Sequence, residues 1–277
     1  MSTTIRDVAR EAGVSVATVS RVLNNSGPVR DDTRRRITEV SRRLRYVPNS
    51  TARSLSTRRT DTVGVLLPDL HGEFFSEVIR GIDQVVQSEG WHLLVSSSHN
   101  EWSAIEAALR VMRGRVDGLL VMSPDLDASA LGANLPDRLP VVLLNCEVDC
   151  RTYDSINIDN CTGAYAAARH LVELGHRRIG VIGGPAGNHD ARERLRGCVA
   201  ALQDAGLSLP PELFVAGDFS EASGHAAALA LLDEHPTGLF AANDSMAIGA
   251  LSALQERGIP VPGEMSVAGF DDIPIAR

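Results

Sequence analysis

The sequence predicts a chain in two parts: a small all-α head with helix-turn-helix spacing, then a two-lobed α/β body of parallel sheets with crossover helices. Three observations carry that prediction. Charge is split along the chain: residues 1–60 hold 13 arginines against 5 acidic residues, a net +8, while the other 217 hold 14 arginines against 30 acidic residues, a net −16. Up to residue 44 the apolar positions recur at helical spacing, whereas beyond residue 61 short apolar runs alternate with helical stretches. That alternation restarts after Asp159, giving two similar halves in tandem.

The composition, 44% hydrophobic and 22% charged over 277 residues, is that of a globular protein and excludes fibrous or wholly disordered classes. No apolar run approaches the ~18 residues needed to span a bilayer. The N-terminus, MSTTIRDVAR, carries charges where a signal peptide needs an apolar core, so no membrane partner and a cytoplasmic location are expected. All 27 cationic residues are arginine, a bias that points to genomic base composition. Their concentration in the head points to a polyanionic partner, because each neutralised phosphate releases counterions. Cys146, Cys150, Cys161 and Cys198 form no CxxC and have no His pair at ligand spacing, so they read as reduced thiols with no metal among them.

In the head, Thr4 caps a helix starting at Ile5, with Asp7 favourably placed in its first turn. Ile5, Val8, Ala9 and Ala12 form its apolar stripe, and Gly13 stops it. Ser15 caps a second helix whose apolar set includes Val19, Val22 and Leu23. Spacing alone would also fit any small helical hairpin. A third helix, Asp31 to Leu44, turns Ile37, Val40, Ser41 and Leu44 to one side. Arg34, Arg35, Arg36, Arg42 and Arg43 crowd its other faces, either as phosphate contacts or as a solvated surface. Pro48 then breaks the third helix and Asn49 caps a further helical segment, too short to be stable alone.

In the body, strands are expected at Thr62–Leu67, Trp91–Ser97, Gly118–Met122 and Val141–Asn145, with helices at Phe74–Glu89 and Ser103–Gly114. The second half reads as helix Cys161–Leu174, strand Arg178–Gly183, helix Ala191–Ala205, strand Leu213–Gly217 and helix Ala222–His235. Strand Gly238–Ala242, helix Ser245–Arg257 and strand Ser266–Phe270 complete it. Two such lobes enclose a cleft, with ligands at the carboxyl ends of the strands.

Thr4-Ile5-Arg6-Asp7-Val8-Ala9, Ala12-Gly13-Val14-Ser15 and Thr18-Val19-Ser20-Arg21-Val22-Leu23-Asn24 resemble the N-terminal signature of the LacI/GalR family of bacterial transcription regulators. Tyr46-Val47-Pro48-Asn49 with Ala52-Arg53 and Leu55 resembles that family's hinge segment. Leu174-Gly175-His176-Arg177-Arg178-Ile179, Gly183-Gly184-Pro185, Ala241-Ala242-Asn243-Asp244 and Val267-Ala268-Gly269-Phe270-Asp271-Asp272 resemble its sugar-sensing domain, which is related to periplasmic sugar-binding proteins.

The resemblance implies a helix-turn-helix head at 1–48, a hinge helix and linker at 49–60, and an effector domain at 61–277, with lobes of about 61–159 and 160–277. It implies a homodimer on a palindromic double-stranded operator. Val16, Ala17 and Arg21 would read base edges, and Thr4, Ser15, Thr18 and Asn24 would join them at the DNA. Asn49 and Ala52 belong to the hinge, and Leu55 would wedge into the minor groove. For a mono- or disaccharide effector it implies Phe74 or Phe75 as an aromatic wall and Phe219 as a second, with Arg194, Asn243, Asp271 and, less directly, Asn145 meeting hydroxyls. Gly72-Glu73 stands where relatives often carry Asn-Pro, and members commonly continue roughly fifty residues beyond Asp271-Asp272. The effector domain is therefore expected to be C-terminally incomplete at Arg277.

Enzymatic readings find no support. Gly183-Gly184-Pro185-Ala186-Gly187-Asn188 lacks the Lys-Ser/Thr of a P-loop, and the first strand runs into Pro68-Asp69, not a glycine-rich dinucleotide turn. No G-x-S-x-G elbow is present, and no catalytic residue or cofactor is expected. The expected function is a ligand-responsive repressor. The alternatives are a family member that binds DNA without sensing a ligand, or a sugar-binding protein with no regulatory role.

Overall fold

The computed structural model describes residues 3–24, 26–47, 59–99, 101–122, 135, 139–146 and 153–276. They fall into two compact units, 1–60 and 61–277. Among them no helix is long and apolar enough to cross a membrane.

The first unit holds α1 (Ile5–Glu11), α2 (Val16–Leu23) and α3 (Asp31–Arg43). The Asp7 carboxylate accepts from the Thr4 backbone N–H (3.0 Å) and hydroxyl (2.7 Å), fixing the start of α1. Gly13, at φ +61°, makes the turn at a conformation that a side chain would strain. Ser15 Oγ accepts from the Thr18 N–H at 3.1 Å and starts α2. The expected stripes converge: Val8, Ala9, Ala12, Val19, Val22, Ile37 and Val40 are buried together, each of the larger ones worth about 1.5–3 kcal/mol on burial. An Arg43–Glu11 ion pair (2.6 Å) links α3 to α1 across the surface.

The second unit contains two parallel sheets. The first lobe runs β1 (Thr62–Leu67), α4 (Glu73–Ser88), β2 (His92–Ser97), α5 (Trp102–Met112), β3 (Gly118–Met122), β4 (Val141–Leu144) and β5 (Asp154–Ile156). Its strand order is β2-β1-β3-β4-β5. Successive residues of β1 serve opposite faces: Val65 and Leu67 pack with α4, and Leu66 packs with Ile105, Leu109 and Met112 of α5. A parallel sheet must be covered on both faces, which is why its strands read as continuous apolar runs. The fifth strand was not expected. Asp154, Ser155 and Ile156 are all exposed and carry no alternation to betray them.

The second lobe runs α6 (Asn160–Glu173), β6 (Ile179–Gly183), α7 (His189–Asp204), a 3-10 turn (Pro211–Leu213), β7 (Phe214–Ala216), α8 (Glu221–Leu232), β8 (Gly238–Ala241), α9 (Asp244–Glu256) and β9 (Ser266–Ala268), then a last 3-10 turn at Pro274–Ala276. The strand order is β7-β6-β8-β9. Helices α6 and α7 cover one face, α8 and α9 the other. Both helix pairs meet backbone to backbone: a Cβ on Gly197 would collide with the Cys161 carbonyl, and one on Gly249 with that of Glu221. In each lobe the strand order reverses direction, about β1 in the first and β6 in the second. Such switch points leave a crevice at the carboxyl ends of the strands.

Candidate functional site

Helix α2 of the head has two opposite faces. Val19 and Val22 are buried in the three-helix core, whereas Val16 (42% exposed), Ala17 and Arg21 stand in solvent. Ser15 and Thr18 bond one another through their hydroxyls at 2.8 Å, and the Asn24 amide donates to Ser20 Oγ at 3.1 Å. Thr4 is engaged with Asp7, whose carboxyl these bonds hold below its ordinary value. Arg35, Arg36, Arg42 and Arg43 of α3 are exposed. The hinge positions Asn49, Ala52 and Leu55, like Cys150, lie outside the described residues.

In the body, the crevice is floored by a buried polar cluster from the second lobe. Arg194, one turn into α7, is 4% exposed. Its Nε donates to Asn160 Oδ1 (2.8 Å), and its Nη1 donates to the Ala242 carbonyl (2.6 Å) and pairs with Asp271 Oδ1 (3.1 Å). The guanidinium lies 3.9 Å from the centre of the Phe270 ring and 5.9 Å from that of Phe219. Both rings present their π-faces to a cation that is otherwise stripped of water. Burial pulls the Arg194 pKa down against the opposing pull of Asp271 and Asp190. Burial likewise pushes the Asp271 carboxyl up to about 6, although Arg194 counteracts it.

Asp271 and Asp272 are held at φ +109° and +56°, a left-handed excursion that is costly for side-chain-bearing residues. Asp244 holds that turn in place. Its buried carboxylate accepts from the Ile273 N–H at 2.9 Å and also receives backbone N–H groups of Phe270 and Asp272. Strain at Asp271 is thus maintained by a carboxylate twenty-seven positions earlier, at the first residue of α9.

Asp190, in the first turn of α7, accepts from Asn160 Nδ2 (2.9 Å) and, across the crevice, from Asn145 Nδ2 (3.3 Å). Asn145, at φ +47° past the end of β4, also accepts from the Ile158 N–H (3.2 Å). Asn243 serves as the cap of α9, accepting from the Met246 N–H at 2.9 Å, and donates to the Phe219 carbonyl at 3.1 Å. In the first lobe, Phe74 and Phe75 meet edge to face with ring centres 5.3 Å apart. Both are half-buried against Val65, Leu67 and Met122, so they belong partly to the sheet's own core. Glu73 Oε2 accepts from the Ile275 N–H at 3.3 Å, another bond between the lobes.

The structure therefore gathers Arg194 and Asp271 of the second lobe and, through Asp190, Asn145 of the first into one cluster, with Phe219 alongside, and leaves Phe74 and Phe75 packed on the first lobe's own sheet. Sequence reasoning missed Asn160, Asp190, Asp244 and Phe270. Each lies next to a recognisable cap or strand end, but polar type alone does not reveal which neighbour it will meet. Among the described residues no group of His, Cys, Asp or Glu is arranged to hold a metal ion. Cys146, Cys161 and Cys198 are free thiols, and burial pushes Cys198 up to about 12.

A head that turns small and cationic side chains of one helix outward, joined in sequence to a two-lobed body with a polar crevice, defines a helix-turn-helix regulator with a ligand-binding-type domain. Residues 4–49 match the model of bacterial regulatory proteins of the lacI family. Residues 60–275 match that of periplasmic binding proteins and the sugar-binding domain of the LacI family. The chain belongs to the LacI family of transcriptional regulators. It is 40% identical over 278 residues to the HTH-type transcriptional regulator GalS of Salmonella typhimurium, covering 99% of this chain and 82% of that one. Against GalR of Escherichia coli the identity is 38%, with 99% and 81% covered. Against the repressor PurR of Haemophilus influenzae it is 35%, with 99% and 82% covered. In three dimensions the chain resembles the lac repressor dimer bound to operator and an anti-inducer, with a TM-score of 0.87 at 32% identity, 99% of this chain and 84% of that one. A cellobiose complex of the regulator CelR gives a TM-score of 0.69, again at 32% identity, 99% of this chain and 84% of that one. The named relatives are regulators of transcription, not enzymes.

Proposed function

We propose that this regulator is a cytoplasmic repressor that binds a palindromic operator as a homodimer and whose operator affinity is changed by a mono- or disaccharide held between its lobes. The domain division is a head at 1–48, a hinge at 49–60 and an effector domain at 61–277. Val16 and Ala17 meet thymine methyls and Arg21 meets guanine, with Ser15, Thr18, Thr4 and Asn24 against the backbone. Their support is that the first three are solvent-facing on a helix whose other face is fully committed to the core. Asn49, Ala52 and Leu55 order as a hinge helix on DNA, with Leu55 entering the minor groove.

The observation that carries the effector half is the buried Arg194–Asp271 pair at 3.1 Å. A fixed donor beside a fixed acceptor matches a sugar hydroxyl, which gives and receives one hydrogen bond, and the Phe219 and Phe270 rings supply the apolar wall. Buried Asn145 of the first lobe and Asn243 of the second meet further hydroxyls, and Phe74 or Phe75 of the first lobe adds an aromatic wall. Because Asn145–Asp190 and Glu73–Ile275 already bridge the lobes, a ligand entering there changes the interlobe bonding, which gives it different affinities for the two arrangements.

The test is fluorescence anisotropy on a selected palindromic DNA and a scrambled control, with and without a panel of neutral saccharides. Sequence-specific binding shifted by one sugar is expected. Equal binding to both DNAs, unmoved by every sugar, would overturn the proposal.

A further inference from the structure

The acid assigned to the effector, Asp271, stands on a turn that its own residues disfavour. Residues 269–273 follow β9 and carry Asp271 and Asp272 at φ +109° and +56°, a region that a residue with a side chain enters at a cost. What keeps the turn in that shape comes from elsewhere in the lobe.

It comes first from α9. Asp244 is buried, and its carboxylate accepts from the Ile273 N–H at 2.9 Å and from the N–H groups of Phe270 and Asp272. A carboxylate is an acceptor only, so it suits a knot of N–H donors, whereas an amide would bring donors of its own. The approach requires a bare backbone. A Cβ on Gly269 would collide with Asp244 Oδ1 and stand 3.2 Å from the Ala247 methyl. Gly269 is not in the left-handed region, so glycine there answers to contact and not to conformation.

The rest of the turn is seated on α6 and α7. The Phe270 ring lies against Gly163, where a Cβ would stand 2.8 Å from Cε2, and the Arg194 guanidinium lies 3.9 Å from the ring centre. Ile273 is buried. Asp271 thus projects between two fixed neighbours and meets Arg194 at 3.1 Å. Three carboxylates act on that one guanidinium, Asp271 in contact with it and Asp190 and Asp244 beyond.

From this geometry we infer that Asp244 is a positioning residue for the effector site: by gripping the backbone of 270–273, an approach that Gly269 permits, it presents the Asp271 carboxylate beside Arg194, and ligand affinity depends on it. The inference rests on the carbohydrate reading above and deepens it, adding a residue that acts through Asp271.

The experiment is calorimetric titration of the full chain with D-glucose, D-galactose, D-ribose and cellobiose between about pH 5 and 8. The native chain is compared with Asp244→Asn, with Gly269→Ala and with Leu231→Ala, a buried position of α8 that serves as a control for stability alone. Asp244→Asn removes the charge, and Gly269→Ala keeps it while blocking the approach. Both are expected to weaken the sugar that the native chain binds by at least about tenfold. In both, the fall in affinity through about pH 6 should move to lower pH, because Asp271 leaves the burial that raises its carboxyl. The charged groups that act on Asp271 are Arg194 and Asp190 of α7 and Asp244 of α9. Gly269→Ala alters none of them, so a shift shared by that variant reports displacement and not lost repulsion. Leu231→Ala should lower the melting temperature and leave affinity and its pH dependence in place. Hydrogen exchange of segment 269–273 should be slow in the native chain and fast in both turn variants.

A folded Asp244→Asn that binds as the native chain does overturns the inference. So does a Gly269→Ala whose pH midpoint stays at about 6, or an equal loss of affinity in Leu231→Ala. Fast exchange of 269–273 in the native chain overturns it even if neither turn variant folds. Failure of the native chain to bind any of the four saccharides removes the carbohydrate reading itself, and is told apart from the other outcomes because it appears before any substitution is made.

Discussion

The reading helix of the head and the floor of the crevice solve opposite problems. On α2, the side chains assigned to base edges do nothing for the fold: Val16, Ala17 and Arg21 project into solvent while Val19 and Val22 hold the helix down. On the crevice floor no such division exists. Arg194 ties together Asn160, the Ala242 carbonyl and Asp271, elements that are otherwise remote in sequence, and is the same group assigned to the ligand. On the proposed assignments, the difference teaches that specificity in the head is free to vary without cost to stability, whereas in the body ligand recognition and lobe stability share one network.

The sharpest way to break that comparison is Arg194→Ala. Removing one partner of a buried ion pair leaves Asp271 uncompensated, so unfolding free energy should drop by about 3–5 kcal/mol. Effector response should vanish with it, and chemical denaturation together with sugar titration would read both. Loss of response without loss of stability would separate the two functions that the geometry fuses. Arg21→Ala is the counterpart in the head: operator affinity should weaken by about 1–3 kcal/mol and preference relax at one base pair, with the melting temperature unmoved. Uniform weakening on every DNA sequence would make Arg21 a phosphate contact only.

pH sharpens the contrast further, because the crevice holds a carboxyl at about 6 and the reading face holds none. Protonation of Asp271 removes the negative partner of Arg194. Effector affinity should therefore be flat near pH 8 and fall as pH drops through about 6, by at most about tenfold per unit for one proton. The stability term has the opposite sign. The folded chain holds this proton more tightly than the unfolded one, so the contribution is full below about pH 4 and is lost as pH rises through about 6. Sugar titrations and melts across that range would test both slopes. The smallest effect is expected at Ser15→Ala, where the cap of α2 is lost at about 1 kcal/mol to stability. DNA affinity should follow only insofar as α2 frays, which a parallel melt would show.

Most of this architecture is legible in the sequence. The stripe Ile5, Val8, Ala9, Ala12 and the stop at Gly13 punctuate the head, and the apolar runs at Thr62–Leu67 and Ile179–Gly183 mark doubly covered strands. What escaped detection depends on long-range encounters. Strand β5 is three exposed residues long and exists because β4 offers it an edge. Asp190 and Asn160 gain their roles from each other, 30 positions apart, and Asp244 from a turn 29 residues on. Nothing local distinguishes these from surface polar residues. The family resemblance supplied Arg194 and Asp271, but not the three carboxylates around one guanidinium, which becomes visible only when the chain is folded.

The glycine contacts of the second lobe have a mechanical consequence. Where Gly197 and Gly249 let α6 touch α7 and α8 touch α9 through their backbones, no side chain lies between to change rotamer and absorb displacement. Each pair is a stiff plate clamped to its face of the sheet. On the proposed effector reading, a push delivered at the crevice meets few rotamer changes within these pairs that could absorb it. On that reading, the compliance lies in the segment joining β5 to α6 and in the Asn145–Asp190 and Glu73–Ile275 bonds between the lobes.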